Sequence, residues 1–541
     1  MDAAQSRSHE LLAAIGWPLL PQQQLLVVVP LLVLPLLCLL SASRRRRRRS
    51  REQGAAAAER RRAPPPGPAK QLPVLGNLLQ IGSRPHRYFQ AVARRYGPVV
   101  EVQLGRVRTV VVSSPDAAKE VLRTNDLHCC SRPNSPGPRM LSYDFLDVAF
   151  SPYSDYWREM RKLFILELLS MRRVQSFAYA RAAEVDRLVS SLAVASSSPP
   201  GAAVDLTEKL YALSDGVVGT VAFGKMYGSA QFERSSFQRV MDETLRVLGS
   251  FTFEDFFPAS RLARLADVLT GAAARRRRIF RQIDRFFDSV IDKHLEPDRL
   301  LAGVQEDMVD ALVKMWREEQ ANGDEAHRLT RDHIKGILMD TFAGGIDTCA
   351  VTMIWIMAEL MRNPRVMRKA QAEVRGLVGN KPRVDEEDVK NLRYLKMVVK
   401  ENFRLHPPGT LLVPRETMKS CVIGGYDVLP GTRIFVNVWA MGRDPTIWDR
   451  PEEFNPERFD GSHVDFRGSN FELLPFGSGR RSCPAIAMGV ANVELALANL
   501  LHCFDWQLPE GMKEEDIDME ETGQLVFRKM VPLCLVPIKR V

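Results

Sequence analysis

Of everything in this sequence, the ten residues Phe476-Gly477-Ser478-Gly479-Arg480-Arg481-Ser482-Cys483-Pro484-Ala485 most restrict what the chain can become. Gly477 and Gly479 let the backbone turn tightly and lie close against a flat ligand. Cys483 follows, and a helix-like stretch over 486–501 begins just behind it. A cysteine at a helix N-terminus has its thiolate held by the amide dipoles. A thiolate is the strongly donating axial ligand that a haem iron needs for cleavage of an O–O bond. Arg481 is placed to meet a haem propionate through a charge-assisted hydrogen bond. A cysteine beside a glycine turn is, taken singly, a structural residue; the complete ten-residue pattern reverses that reading.

The rest of the body is of one kind. From about residue 85 onward no linker, repeat or long low-complexity segment interrupts the chain. Apolar periodicity predicts helices over 154–170, 205–223, 273–294, 328–362, 364–378, 392–405 and 486–502. Strand-like runs are few and short: 98–104, 109–113, 434–438 and the region 525–536. The expectation is one large domain, mainly α with a minor β region. With 45% hydrophobic and 26% charged residues, the chain is neither disordered nor collagenous.

The N-terminal part differs. Residues 25–40 are uncharged and mostly apolar, with Pro30 and Pro35 inside, and six arginines follow at 44–49. A bilayer span takes about 20 residues, which the run reaches by borrowing 17–24. Arginines after an apolar run fit a stop-transfer signal that keeps the body in the cytosol. The alternative is a signal peptide cleaved near Ser41-Ala42-Ser43. The formal net charge of +10 is local: 44–62 holds +8, and the 479 residues beyond hold only +3. That places a basic tract beside a membrane segment and excludes nucleic acid as a partner. The layout expected is an anchor segment in 1–43, an Arg- and Pro-rich linker in 44–72 and a single domain in 73–541. None of the eight cysteines shows C-x-x-C spacing, and adjacent Cys129 and Cys130 are poorly placed to bridge each other, so reduced thiols in the cytosol are expected.

The ten-residue stretch resembles the haem-binding loop of the cytochrome P-450 superfamily, Phe-Gly-x-Gly-x-Arg-x-Cys-x-Gly, departing only at Ala485. Three further elements resemble the family in the right order. Glu401-Asn402-Phe403-Arg404 fits its Glu-x-x-Arg motif, on one helix face as i and i+3, and Arg458 looks like the third member of that unit. Trp157 and Arg161 resemble the helix pair that holds a propionate. Ala343-Gly344-Gly345-Ile346-Asp347-Thr348-Cys349 resembles the oxygen-activation segment, with Cys349 where Thr or Ser is usual. Two glycines inside a helix cost ~1 kcal/mol each, which close approach of a ligand plane, a local helix opening, or a packing notch would explain. The resemblance implies haem b with Cys483 as iron ligand, Phe476, Arg415, Trp157, Arg161 and Arg481 around it, and a proton relay through Asp347 and Thr348. It also implies the plant endoplasmic-reticulum type, single-pass, with a cytosolic catalytic domain. No Gly-x-Gly-x-x-Gly follows a strand in a βαβ setting, so electrons are expected from NADPH through a separate reductase.

By position in the family, the substrate face comes from Phe145, Phe342, Gly345, Leu411, Leu412, Val413 and Leu525, an apolar lining suited to a small aromatic molecule. The loop 129–138, with 167–174 and 519–523, is similar to that of grass members of the family acting on 4-hydroxyphenylacetaldehyde oxime. The resemblance implies a monooxygenase using O₂ on an aromatic aldoxime in cyanogenic glucoside-type metabolism. Hydroxylation of another aromatic or terpenoid metabolite, or O₂-independent dehydration at a haem-thiolate, are the alternatives.

Overall fold

The computed structural model describes residues 62–69, 72–197, 201–228, 232, 234–296, 305–322 and 329–540. The apolar run 25–40 and the arginine tract 44–49 lie outside the described residues.

Among the described residues twelve helices have nine or more residues: α1 Pro85–Tyr96, α2 Asp155–Leu163, α3 Ala178–Ser197, α4 Leu206–Phe223, α5 Arg234–Gly249, α6 Arg261–Leu269, α7 Ala272–Leu295, α8 Met308–Asn322, α9 Arg331–Arg362, α10 Pro364–Val378, α11 Arg393–Leu405 and α12 Ile486–Cys503. All seven helical stretches expected from periodicity are present within a few residues. The expected 154–170 begins as α2 and continues into a five-residue π turn, Phe164–Leu168. Local chemistry sets the ends. Ser154 accepts the Trp157 N–H at 3.1 Å and starts α2. Thr330 caps α9, and Pro364 begins α10 right after it. α11 stops before His406-Pro407, because the residue preceding proline avoids helical backbone.

The strands are β1 Val99–Leu104, β2 Val107–Val112, β3 Val204–Asp205, β4 Arg415–Glu416, β5 Cys421–Ile423, β6 Tyr426–Val428, β7 Arg433–Val436, β8 Phe504–Gln507, β9 Glu521–Gly523, β10 Phe527–Lys529 and β11 Cys534–Lys539. The largest sheet runs β1-β2-β7-β4, with β2 and β7 parallel, and two-stranded ribbons join β5 to β6 and β9 to β10. The strand region expected at 525–536 is therefore two strands, β10 and β11, in different sheets.

The fold is mainly α with a minor sheet component. Its centre is α9, apolar on every side and packed by α4, α12 and α11. α9 and α12 are long and apolar enough to cross a membrane, yet 67% of each apolar window is buried inside the fold. A helix that is hydrophobic all round is here a core helix.

The Pro-rich end of the expected linker lies on the body. The Pro66 carbonyl accepts from Glu101 N at 2.8 Å, and the Ala69 carbonyl accepts from Asn77 Nδ2 at 3.0 Å. A Cβ on Gly67 would collide with the Glu101 carbonyl. The folded body thus begins before residue 73.

Candidate active site

The cysteine loop is built by its glycines. Gly477 and Gly479 have φ of 67° and 72°, and a Cβ on Gly479 would strike the Leu122 carbonyl. The turn closes when Cys483 N donates to the Phe476 carbonyl at 2.9 Å. The Phe476 ring is fixed edge-on to Phe403, with centroids 5.1 Å apart. Burial pushes the Cys483 thiol up, while the Ala485 amide and the Arg161 guanidinium pull it back down.

Behind the loop four arginines converge. Arg481 donates to the carbonyls of Cys130, Val148 and Ser151, and its guanidinium lies 3.9 Å from the centroid of Trp157. Arg161, one turn along α2, lies 5.6 Å from the same ring and donates to the Ser482 carbonyl at 2.6 Å. Trp157 is held by its own N–H on the Val148 carbonyl at 2.9 Å. Arg132 donates to the carbonyls of Ala149, Val413 and Pro414. Arg415 bonds Asp126 at 2.7 Å and the Ser478 carbonyl at 2.8 Å. Asp126 also takes the Arg480 backbone N–H and side chain, each at 3.0 Å.

Arg132, Arg161 and Arg481 therefore bond only to neutral oxygens. Burial and the neighbouring guanidinium groups drive Arg132 well down and Arg481 down to about 9. Buried cations without bonded carboxylates complement a ligand carrying two carboxylates of its own. A thiol under an amide and beside Arg161, with Arg132 and Arg481 packed behind its loop, is a donor set that fits a haem: one thiolate for iron and arginines for two propionates.

Glu401, Arg404 and Arg458 form the unit expected from the motif. Arg404 makes two bonds to Glu401, both at 2.8 Å, and Arg458 adds a third at 2.9 Å. Glu401 and Arg404 side chains are 0% exposed, so the pair belongs to the core and not to the surface. Arg404 reaches on to the carbonyls of Gly442, Pro451 and Glu453 and ties that segment down.

On α9, Thr348 donates its hydroxyl to the Gly344 carbonyl at 2.7 Å. Burial pushes the Asp347 carboxyl up to about 6, with Arg528 of β10 opposing. Gly344 is open: a Cβ there would meet nothing within 4 Å. Cys349 is buried beside Thr348 and Asn492 of α12, and burial raises it to about 11. The thiol at the position usual for Thr or Ser thus sits at a helix interface.

Of the residues expected to line the substrate face, Phe342 and Leu411 are buried, while Gly345 keeps partly accessible surface. A Cβ on Gly345 would stand 2.7 Å from Val218 Cγ2 of α4, so this glycine is a helix-packing notch. Phe342 is 0% exposed within an aromatic cluster, 4.9 Å from both Phe223 and Phe237. Leu411 is buried against Phe89, Val100 and Phe435. Leu412, Val413 and Phe145 keep partly accessible surface. Leu525 joins Phe150, Phe280 and Ala343 around buried Leu141, Val247, Leu248 and Ile279, an apolar patch uniting five segments far apart in sequence.

Sequence reasoning missed Arg132, Asp126 and the pair Asp147 and Asp340. Asp340 of α9 accepts from Val148 N at 2.7 Å and Ala149 N at 3.1 Å, clipping the loop before α2 onto α9. Burial raises both carboxyls, Asp147 to about 6. Gly336 makes the approach possible, since a Cβ there would stand 2.7 Å from the Leu146 carbonyl. A glycine and an aspartate four residues apart on one helix were the only local signal.

Fold and cysteine loop together define a haem-thiolate protein. Residues 65–534 match the pattern that defines the cytochrome P450 family. Relatives include 4-hydroxyphenylacetaldehyde oxime monooxygenase of Sorghum bicolor, 56% identical over 87% of this chain and 88% of that protein. They also include 2-methylbutanal oxime monooxygenase of Manihot esculenta, 51% identical over 87% of this chain and 90% of that protein. A zebrafish cytochrome P450 solved with abiraterone shares the fold, with a TM-score of 0.69, 24% identity, and coverage of 85% of this chain and 99% of that one. The chain belongs to the cytochrome P450 family. It is a haem-binding monooxygenase, an oxidoreductase that takes electrons from a reductase and acts with O₂ on a small molecule.

Proposed function

We propose that this chain oxidises an aromatic aldoxime, 4-hydroxyphenylacetaldehyde oxime in the first instance, within cyanogenic glucoside-type metabolism. The observation that carries the substrate class is that two relatives above 50% identity, from two plants, both act on aldoximes.

Haem, when bound, supplies the activation of dioxygen. The chain's residues hold it and control protons. Cys483 would supply the thiolate that holds the haem iron, steadied by the Ala485 amide and by Arg161. Arg132, Arg161, Arg415 and Arg481 would hold the propionates, with Trp157 keeping Arg161 and Arg481 in place. Asp347 keeps its proton up to about pH 6, and Thr348 offers a hydroxyl beside the open surface at Gly344. The electron donor is an NADPH-dependent cytochrome reductase, and 1–43 anchors the chain once through the endoplasmic-reticulum membrane with the body in the cytosol, behind the linker that follows.

The test uses the full chain in microsomes with a plant reductase, given 4-hydroxyphenylacetaldehyde oxime. The expected result is NADPH-dependent nitrile or hydroxynitrile, read by mass. If no aldoxime perturbs the haem spectrum while other aromatics do, the substrate reading is wrong.

A further inference from the structure

Two cysteines outside the haem site face each other. Cys129 ends the short helix Asp126–Cys129, and Cys421 opens β5, 292 residues later. Their sulfurs lie 3.7 Å apart, in van der Waals contact. Both side chains are buried, Cys421 being the more accessible at 8% against 0%.

Their segments are locked in register on both sides of the contact. Asn125 Nδ2 donates to the Val422 carbonyl at 2.9 Å, Met418 N to the His128 carbonyl at 2.8 Å, and Glu416 N to the Ser131 carbonyl at 2.9 Å. Gly424 N donates to a Glu120 carboxylate oxygen at 2.6 Å. An S–S bond is about 2.05 Å long. The sulfurs need approach only by the remaining gap, between segments already held side by side.

We infer that Cys129 and Cys421 form an oxidant-responsive disulfide site, formed by peroxide and opened by thiol reductants. In a reducing cytosol the resting state is the dithiol. The Cys421 thiolate attacks one oxygen of hydrogen peroxide, giving a sulfenic acid and hydroxide. The Cys129 sulfur then attacks that sulfenic sulfur, the S–S bond forms, and water leaves with the Cys129 proton. Two thiols lose two electrons in total, and one peroxide is reduced to two waters. The hydrogen bond from the Cys129 thiol lowers Cys421, which puts the thiolate on the sulfur nearer solvent.

The site is coupled to the haem loop by position. Asp126, which carries Arg415 and Arg480, lies on the same short helix as Cys129. Cys130, next in the chain, gives its carbonyl to Arg481 Nε at 2.8 Å. A Cys129–Cys421 bond ties the ground that holds three of these arginines to the β5–β6 ribbon.

The experiment treats the membrane-bound holoenzyme with stepped hydrogen peroxide, alkylates free thiols, and digests without reduction. The expected result is a peptide linking Cys129 to Cys421, loss of two alkylatable thiols per chain, and recovery of both with dithiothreitol. The carbon monoxide band of the Cys483 thiolate persists over the same peroxide steps. C421S and C421A, which keep the holoenzyme, lose the linked peptide. A link from Cys421 to another cysteine overturns the proposal, as does oxidation of Cys421 to sulfinic acid without a link. Loss of the Cys483 band before any link forms also overturns it.

Discussion

Replacing Glu401 with Gln removes one charge from the core and leaves its shape. Glu401 accepts from Arg404 twice, from Arg458, and from Asn455 N at 2.8 Å, all out of solvent. Gln can accept at one oxygen only, so with that oxygen in the Oε1 place Arg404 still loses one of its two bonds, and both guanidinium groups lose the counter-charge. Removing one member of a buried ion pair costs about 3–5 kcal/mol, against a total stability of about 5–15 kcal/mol for a folded domain. The damage is aimed at the cofactor. Phe403 sits between Glu401 and Arg404 and packs on both Phe476 and Phe466, so a loosened α11 loosens the cysteine loop. The expected outcome is a sharply lower haem-loaded fraction and a urea midpoint shift equivalent to about 3 kcal/mol or more. Full haem loading with a shift below about 1 kcal/mol, the worth of an exposed pair, would refute the reasoning.

Three further outcomes are expected. Asp347 has a folded pKa of about 6 against an ordinary 3.8, so the folded chain binds the extra proton and its stability falls as pH rises through that window. Asp347→Asn abolishes this slope in denaturation series, and the rise or fall of coupled turnover near pH 6 disappears with it. Gly345→Ala drives a methyl into Val218 and lowers stability by about 1–3 kcal/mol, and adding Val218→Ala restores part of the loss by thermal denaturation. Thr348→Ala uncouples the reaction: NADPH and O₂ are consumed while product per NADPH falls, and an unchanged ratio would remove Thr348 from proton delivery.

What the sequence disclosed follows from how far each signal reaches along the chain. The glycine turn ending in Cys483, the i, i+3 pair Glu401 and Arg404, and the i, i+4 pair Trp157 and Arg161 are local patterns, and each forms as read. Five long helices, α1, α3, α5, α6 and α8, were not among those expected; α3 carries weak periodicity, whereas α1, α5 and α6 are clearly amphipathic. Partners distant in the chain were invisible. Arg132 meets Val413 and Asp126 meets Arg415 across more than 280 residues, and β2 pairs with β7 across a similar gap. Phe342, on α9, packs its ring against Phe223 of α4 and Phe237 of α5, contacts that its place in the sequence does not disclose.

Haem binding by this chain depends on Cys483 as the thiolate, with Arg161 beside it. The reduced carbon monoxide spectrum of the full-length wild type beside Cys483→Ser measures this most directly. The wild type is expected to show a thiolate-type band and the variant none, with product formation lost alongside it. A thiolate-type band that survives in Cys483→Ser would place the ligand on another cysteine and contradict the account.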